Sequence, residues 1–378
     1  MPRVVVAACD SYDHEKVYAC VEQGVGLLGG VEALLGDARK VLVNPNLLKP
    51  AAVDSAVTTH PSVILAVLRL LEKEGVYEVK YGDSPGHDTS KKALGAIGLT
   101  GDVYGAEPAP MLNEQKLEFA DGITAKEFYF TEEVIWADCV INVCKMKTHA
   151  LMKLTGAVKN PFGLVCGARK PMMHVLYPDE GAFAGMLTDI HRAVNIPLHI
   201  MDAVVAMEGN GPGAGDPVHM GLIIMSQDPV AVDTVFCRLA DVEPVSVLTN
   251  VKGEAAGIGT YNEDKIELLL ADGNNVRQVS FGELAAAYGR PDLKIERQKK
   301  TLARRALNIL ARAKGQGRPV IDESLCIRCG ICVQHCPVEG HALNFTDGRG
   351  SPPVYDYKKC IRCYCCQEMC PRRAISKK

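Results

Sequence analysis

Short apolar runs alternate with longer stretches of helical periodicity over residues 1–293 of this 378-residue chain. The short runs are rich in Val, Ile and Leu without strict polar alternation, which is typical of strands buried on both faces. The strand candidates are residues 4–8, 41–43, 76–81, 139–143, 198–205, 222–225 and 266–270. The helix candidates include residues 14–35, 62–74, 183–194, 229–239 and 281–288. This alternation predicts an α/β domain with a mainly parallel sheet and flanking helices.

Polar residues, Gly and Pro follow five of the strand candidates. In an open parallel sheet, ligands bind beyond the carboxyl ends of the strands. The five loops are residues 44–49, 82–88, 145–149, 208–216 and 227–233. Each loop alone is an ordinary turn, but their repetition predicts a composite site at one edge of the sheet.

The most suggestive local group is Lys145, Lys147 and His149, which we take as candidate catalytic residues. Alternate residues of an extended segment point the same way, so all three are expected to face one ligand. Lys159 and Asn160 follow closely and are candidate cofactor-binding residues. Such a group suits a carboxylate or phosphate, and a desolvated lysine can lose its proton for chemistry. The alternative is that the lysines are solvated and His149 packs locally.

Glycines in the loop at residues 208–216 would let backbone amides approach an anion. We therefore add Gly209, Gly211 and, from the next loop, Asp228 to the candidate cofactor-binding residues. The competing interpretation is that these glycines only allow the chain to turn.

Acidic residues in the same loops could donate or accept protons during a reaction. The candidates are Asp83, Glu208 and Asp228, and His174 lies in a polar segment from which it could join the site. Their spacing matches no metal motif, so a metal site in this domain is not predicted.

Eight of the 15 cysteines form two runs, at residues 326–337 and 360–371, and each run reads C-x2-C-x2-C-x3-C-P. Three thiolates on one tight loop can wrap one face of a cubane cluster, and in two-cluster ferredoxins the fourth comes from the opposite run. One predicted [4Fe–4S] cluster is held by Cys326, Cys329, Cys332 and Cys370. The other is held by Cys360, Cys363, Cys366 and Cys336. Structural zinc is the alternative, but it usually takes two spaced C-x2-C pairs.

Residues 294–318 differ from both neighbours, because they hold nine Lys or Arg and one acidic residue around an apolar helical stripe. We interpret them as a basic helical linker, although a basic surface for nucleic acid or an acidic redox partner is the alternative. The chain is thus divided into an α/β domain (1–293), the linker (294–318) and a small α+β two-cluster ferredoxin-like domain (319–378).

Composition narrows the function class further. Hydrophobic residues make up 47% and charged residues 23%, as in soluble globular proteins. Aromatic residues at 6% argue against a stacking platform for nucleic acid, and the formal charge of -3 identifies no partner. No apolar run reaches membrane-spanning length, so no membrane association is predicted. Most cysteines outside the two runs lie in apolar stretches, which indicates a reducing cytoplasm.

Five segments together resemble the DUF362 family, a domain of unknown function that is often fused to a ferredoxin module. They are residues 41–46, 145–149, 159–163, 207–212 and 228–233. The segments occur in the family's order, and Asn44 stands where many members have lysine. The C-terminal module resembles a bacterial-type two-cluster ferredoxin. These resemblances imply the fold and the iron–sulfur cofactors but supply no substrate.

The predicted function is a ferredoxin-linked oxidoreductase that acts on an anionic small molecule or cofactor at the strand-end loops. A redox partner protein is also expected, whereas the sequence leaves open whether an additional organic redox cofactor is bound. The alternatives are an electron carrier whose α/β domain only binds a partner protein, and a factor that assembles clusters or delivers metal. The distance from the nearer cluster to the edge at residues 145–149 discriminates between reductase and carrier.

Overall fold

The computed structural model describes residues 1–86, 88–296 and 317–378. Within them the strands are β1 Arg3–Ala8, β2 Lys40–Pro45, β3 Glu78–Tyr81, β4 Glu107–Pro108, β5 Glu114–Glu118, β6 Glu127–Thr131, β7 Cys139–His149, β8 Lys153–Thr155, β9 Leu198–Glu208, β10 Asp216–Ser226, β11 Glu267–Asp272, β12 Asn275–Gln278, β13 Pro319–Ile321, β14 Leu343–Asn344, β15 Val354–Tyr355 and β16 Ile375–Lys377. The α-helices are α1 His14–Leu27, α2 Gly30–Leu35, α3 Pro61–Lys73, α4 Ser90–Ala96, α5 Glu132–Trp136, α6 Lys170–Leu176, α7 Glu180–Ala193, α8 Pro229–Leu239, α9 Leu248–Ala255, α10 Phe281–Tyr288, α11 Ile331–Gln334 and α12 Cys365–Met369.

Ten strands form one sheet in the order β12-β11-β1-β10-β9-β7-β2-β3-β4, with β8 paired to β7. Of the nine pairings, five are parallel and four are antiparallel. The sheet is therefore mixed but mainly parallel, and helices pack against both of its faces. This confirms the predicted α/β class.

Both faces of β1 are buried, which explains why its sequence is a continuous hydrophobic run. Val5 and Ala7 pack in the layer that includes α1 and α3, whereas Val4 and Val6 pack in the layer that includes α8. Successive strand residues point to opposite faces, so burial of both faces requires an apolar residue at every position.

Some predicted boundaries differ from the structure. The helix expected at residues 14–35 is divided into α1 and α2, because Gly29 between them has a φ of +114° and glycine adopts positive φ without a steric penalty. Strand β7 continues through His149, so residues 145–149 belong to the strand and are not a loop after it.

One loop does not lie where the prediction put it. β10 is antiparallel to both of its neighbours, β1 and β9. A hairpin therefore returns the chain at residues 208–216 on the carboxyl edge of the parallel strands, whereas residues 227–233 follow β10 at the opposite edge. The expectation that all five loops meet at one edge is wrong for this fifth loop, which carries Asp228.

The C-terminal region is a small α+β module. Its short strands pair as β13 with β16 and β14 with β15, both antiparallel, and the short helices α11 and α12 pack together. The predicted basic linker at residues 294–318 lies outside the described residues except at 294–296 and 317–318, so it and the three domain boundaries stay predictions. None of the described helices is long and apolar enough to cross a membrane.

Candidate functional site

Two small cavities in the C-terminal module are each lined by four of the motif cysteines. The first is lined by Cys326, Cys329, Cys332 and Cys370. The second is lined by Cys336, Cys360, Cys363 and Cys366. In each cavity one cysteine comes from the opposite run, the arrangement that two-cluster ferredoxins use. Four thiol donors around each cavity fit the chemistry of a [4Fe–4S] cluster.

Lys145 lies in a charged cluster inside the α/β domain. Its Nζ is 2.7 Å from Asp202 Oδ2 and donates to Tyr12 Oη at 2.8 Å. Tyr12 Oη donates in turn to Asp202 Oδ1 at 2.8 Å, and the Tyr12 ring stacks on His60 with centroids 3.5 Å apart. Both charged side chains are almost completely buried, so the ammonium and the carboxylate neutralise each other within the fold.

Lys147 is also buried, but its partners are neutral. Its Nζ donates to Asn46 Oδ1 and to the Val57 carbonyl, both at 2.6 Å. Asn46 Nδ2 then donates to Asn160 Oδ1 at 2.7 Å. Burial, followed by the like charge of Lys159, lowers the pKa of Lys147 well below its usual range. Lys147 therefore orients Asn46, which in turn is hydrogen-bonded to Asn160.

Those two asparagines line a third cavity, which lies between the α/β domain and the C-terminal module. This interdomain pocket has a volume of about 80 Å³. The α/β domain contributes polar and aromatic residues, including Asn46, Asp83, His149, Lys159, Asn160, Phe162, Lys170 and His174. The module contributes His335, Cys365, Glu368 and Met369. A cavity with a few convergent polar groups is typical of a small-molecule site.

Two of the described lysines line the interdomain pocket. Lys170 Nζ donates to the Ser84 carbonyl, and burial lowers the pKa of Lys170 to about 8. Lys159 has no hydrogen bond or ion pair with any residue that the structure describes, and its Nζ lies 5.8 Å from the centroid of the Phe162 ring. Burial also lowers the pKa of Lys159, although Glu368 and Asp83 oppose the change. The pocket therefore carries lysines that can receive an anion.

His149 lines the pocket and lies next to Glu368 of the C-terminal module. Its Nδ1 accepts the backbone N–H groups of Leu151 and Met152 at 3.0 and 3.2 Å, so the neutral ring carries its proton on Nε2. Nε2 lies 3.2 Å from Glu368 Oε1, close enough for an ion pair but without hydrogen-bond alignment. Burial lowers the pKa of His149 to about 4. At neutral pH the imidazole is therefore uncharged, and its Nε2 lies next to a carboxylate.

Asp83 occupies another part of the wall. Its Oδ2 accepts the Leu47 N–H at 2.7 Å, and its side chain is buried. A Cβ at position 163 would lie 2.0 Å from Asp83 Oδ1. Glycine at 163 is therefore required for the close approach of this carboxylate to the pocket.

The module docks on the sheet edge through hydrogen bonds that side chains donate. Gln367 Nε2 donates to Asn210 Oδ1 at 2.7 Å and to the Gly211 carbonyl at 3.0 Å. Lys49 Nζ donates to the Glu368 carbonyl at 2.9 Å, and Lys377 Nζ donates to the Ala150 carbonyl at 3.0 Å. These contacts hold α12 against the loops that line the pocket.

The glycine loop thus contributes to docking, and its glycines are not among the residues that line the pocket. Gly209 has a φ of +74°, and its carbonyl accepts the Thr148 hydroxyl at 3.1 Å. A Cβ at Gly211 would lie 2.2 Å from the Thr148 carbonyl oxygen. Only glycine allows this hairpin to pack so closely on the end of β7.

Asp228 caps helix α8 at the opposite edge of the sheet. It accepts the N–H groups of Ala231 at 2.8 Å and Thr260 at 2.9 Å. One turn later, Asp233 accepts the Ala157 N–H at 2.6 Å and the Val158 N–H at 3.2 Å. Asp233 therefore orders the segment that leads into Lys159, whereas Asp228 lies away from the pocket.

The structure brings together only part of the predicted site. His149, Lys159 and Asn160 line the pocket, as do Asp83 and His174. Lys147 lies behind the wall, and Lys145 belongs to a separate ion pair. Sequence reasoning missed Lys170, Cys365 and Glu368 as pocket residues. Lys170 lies four residues before His174, which was a signal, but nothing local connects Glu368 to a loop of the α/β domain.

The model of the DUF362 family, described as a domain of unknown function, matches residues 41–238. The chain belongs to this family. The match covers the strands and loops that form the α/β side of the pocket, from β2 to α8. A model described as a 4Fe-4S dicluster domain matches residues 318–371. The DUF362 domain is therefore joined to a ferredoxin-type iron–sulfur domain, whose chemistry is electron transfer.

One relative of this DUF362 protein is a thylakoid-associated protein of Synechocystis sp., which is 30% identical over 250 residues. The match covers 66% of this chain and 77% of the relative. Among solved structures, the lactate racemase apoprotein of Thermoanaerobacterium thermosaccharolyticum matches with a TM-score of 0.43 and 11% identity. It covers 63% of this chain and 57% of the racemase chain. A likeness of that degree says nothing about activity.

Proposed function

We propose that the protein is an iron–sulfur oxidoreductase that passes single electrons to an anionic small molecule or anionic cofactor in the interdomain pocket. One observation carries this proposal. Cys365 lines the pocket and lies between Cys363 and Cys366 in the sequence, while the pocket residue His335 precedes Cys336. The pocket therefore adjoins one predicted set of cluster ligands, which supports a reductase over a carrier.

The proposal includes two [4Fe–4S] clusters. Each would be held by the four cysteines that line one of the two cavities in the module. When bound, such clusters supply reversible one-electron transfer at a potential set by their surroundings. The protein supplies position and electrostatics for the ligand.

Residues of the pocket have distinct roles in this proposal. Lys170 binds the anionic group of the ligand and Lys159 lies beside it, because both residues line the cavity. His149 and Glu368 hold a proton near the reacting group, since Nε2 of the imidazole lies next to the carboxylate. Lys147 acts as a positioning residue, because its Nζ donates to Asn46 Oδ1.

Other predicted residues act at a distance from the ligand. Gly209 and Gly211 shape the docking hairpin, and Lys145 and Asp228 stabilise the fold. A redox partner protein would deliver electrons to the module, and a reducing, anaerobic cytoplasm would suit exposed cluster chemistry. The partner and the location stay predictions.

The test begins with anaerobically purified protein whose clusters have been reconstituted. Mass spectrometry of the small molecules released on denaturation identifies a bound ligand. That molecule is then added back to the reduced protein, and reoxidation of the clusters is followed by absorbance and electron paramagnetic resonance. We expect it to accelerate reoxidation in the native protein and in Lys126→Ala, whose side chain is exposed, but not in Lys159→Ala.

The carrier alternative predicts a different result. If the released molecules leave the reoxidation rate unchanged, or if Lys159→Ala behaves like the native protein, the pocket is not the site of reduction. Rapid transfer of a cluster to an apo acceptor protein would instead support an assembly factor.

A further inference from the structure

The amine of Lys159 has an unusual environment for a lysine. It lines a cavity and has no hydrogen-bond or ion-pair partner among the residues that the structure describes. The other pocket lysine, Lys170, donates to a backbone carbonyl, and Lys147 donates to an amide oxygen and a carbonyl. Lys159 is therefore the lysine of this group that lines the cavity and has no hydrogen-bond acceptor among the described residues.

Burial disfavours an ammonium ion at this position. It lowers the pKa of Lys159, although Glu368, Asp83 and Cys365 oppose the change. The Lys159 Nζ lies 5.8 Å from the centroid of the Phe162 ring. Desolvation is one of the features that convert a lysine into a neutral nucleophile.

We propose that Lys159 forms an imine with the carbonyl carbon of a small oxo acid, whose carboxylate binds at Lys170. The amine nitrogen forms a bond to the carbonyl carbon, and the carbonyl oxygen leaves as water with the two hydrogens of the amine. No electron transfer is needed for this step. The inference rests on the pocket of the proposed function but not on reduction by the clusters.

The neighbouring groups fit this substrate class. Lys170 uses one of its three N–H donors on the Ser84 carbonyl, which leaves two for a carboxylate. The cavity, with a volume of about 80 Å³, has room for a small oxo acid.

The experiment traps the imine in the cluster-loaded full chain under anaerobic conditions. The protein is incubated with pyruvate or glyoxylate and sodium cyanoborohydride, which delivers hydride to an imine and leaves a stable secondary amine. Peptide mass spectrometry then gives the rate of labelling at each lysine. We expect Lys159 to be labelled several-fold faster than the exposed Lys126, and propionate, which lacks the carbonyl, to slow labelling of Lys159 only.

Two variants separate the parts of the proposal. Lys159→Arg retains a cation but cannot form an imine, so labelling in the pocket is lost while Lys126 is labelled as before. Lys170→Gln retains the amine of Lys159, so labelling persists but requires more pyruvate.

Labelling of Lys159 no faster than Lys126 would overturn the inference and would leave Lys159 as a simple anion contact at most. Trapping at Lys159 without reoxidation of the clusters would uphold the imine and contradict the proposed reduction. Reoxidation of the clusters without trapping would do the reverse.

Discussion

Lys145 and Lys159 belong to the same domain, and burial lowers the pKa of both. Their electrostatic environments are nevertheless opposite. Lys145 Nζ lies 2.7 Å from a carboxylate that is itself buried, and Tyr12 completes the cluster. Lys159 has no such partner among the described residues and lines a cavity. A buried charge with a partner stabilises one conformation, whereas a buried amine without one is available to a ligand.

Removal of the paired lysine should have the largest effect. Lys145→Met leaves the fully buried Asp202 carboxylate without its cation, so we expect the protein to lose about 3–5 kcal/mol of unfolding free energy. Urea denaturation followed by far-UV circular dichroism measures this loss. Lys126→Met, at an exposed position, is the control and should leave the midpoint unchanged.

The double variant Lys145→Met/Asp202→Leu sharpens the result. Because both charges are removed together, it should recover part of the lost stability. A single variant as stable as the native protein would show that the ion pair is not what holds this region.

Replacement of Lys159, which has no partner among the described residues, should weaken ligand binding without destabilising the fold. Lys159→Met is expected to weaken binding of the anionic ligand about 100-fold, because the ligand loses its contact with the Lys159 nitrogen. The urea midpoint should stay the same or rise, because the native amine has no described partner to lose. Isothermal titration calorimetry with the ligand recovered from the protein measures the affinity. A large fall in the midpoint would contradict the contrast with Lys145.

Replacement of Gln367 should have a smaller effect than replacement of either lysine, and it should weaken docking of the C-terminal module. Gln367→Ala removes hydrogen bonds to Asn210 and Gly211 and should cost about 1–2 kcal/mol of docking free energy. Hydrogen exchange at the amides of residues 365–369 should become faster. The exposed Gln278→Ala is the matched control, and equal exchange in both variants would exclude a docking role.

The smallest effect concerns pH. The pKa of Lys170 is about 8, so its charge is lost as the pH rises through that value, and affinity for an anion falls. We expect a decrease of about fivefold between pH 7 and pH 9, equivalent to about 1 kcal/mol for one partly exposed contact. Calorimetric titrations at each pH measure it. Lys170→Arg should flatten this dependence, since arginine stays charged.

The site was only partly accessible to sequence reasoning. Alternation along a strand put Lys145, Lys147 and His149 on one face, but the pairing of β7 with β9 shifts register between Lys145 and Lys147. The carboxylate that pairs with Lys145 lies 57 residues away on β9, which no local pattern reveals. Asp228 was assigned to the wrong edge, because local sequence does not tell whether β10 runs parallel or antiparallel to its neighbours.

The apolar strands, their helical partners and the two cysteine runs can be recognised in the amino-acid sequence, because they depend on short-range periodicity and spacing. Which lysine has a carboxylate partner and which lines a cavity follows only from the folded protein. The fold also decides that Glu368, from the C-terminal module, closes a pocket built mainly by the α/β domain. Burial and charge pairing arise from contacts between distant segments, so they follow from the packed fold and not from any one segment.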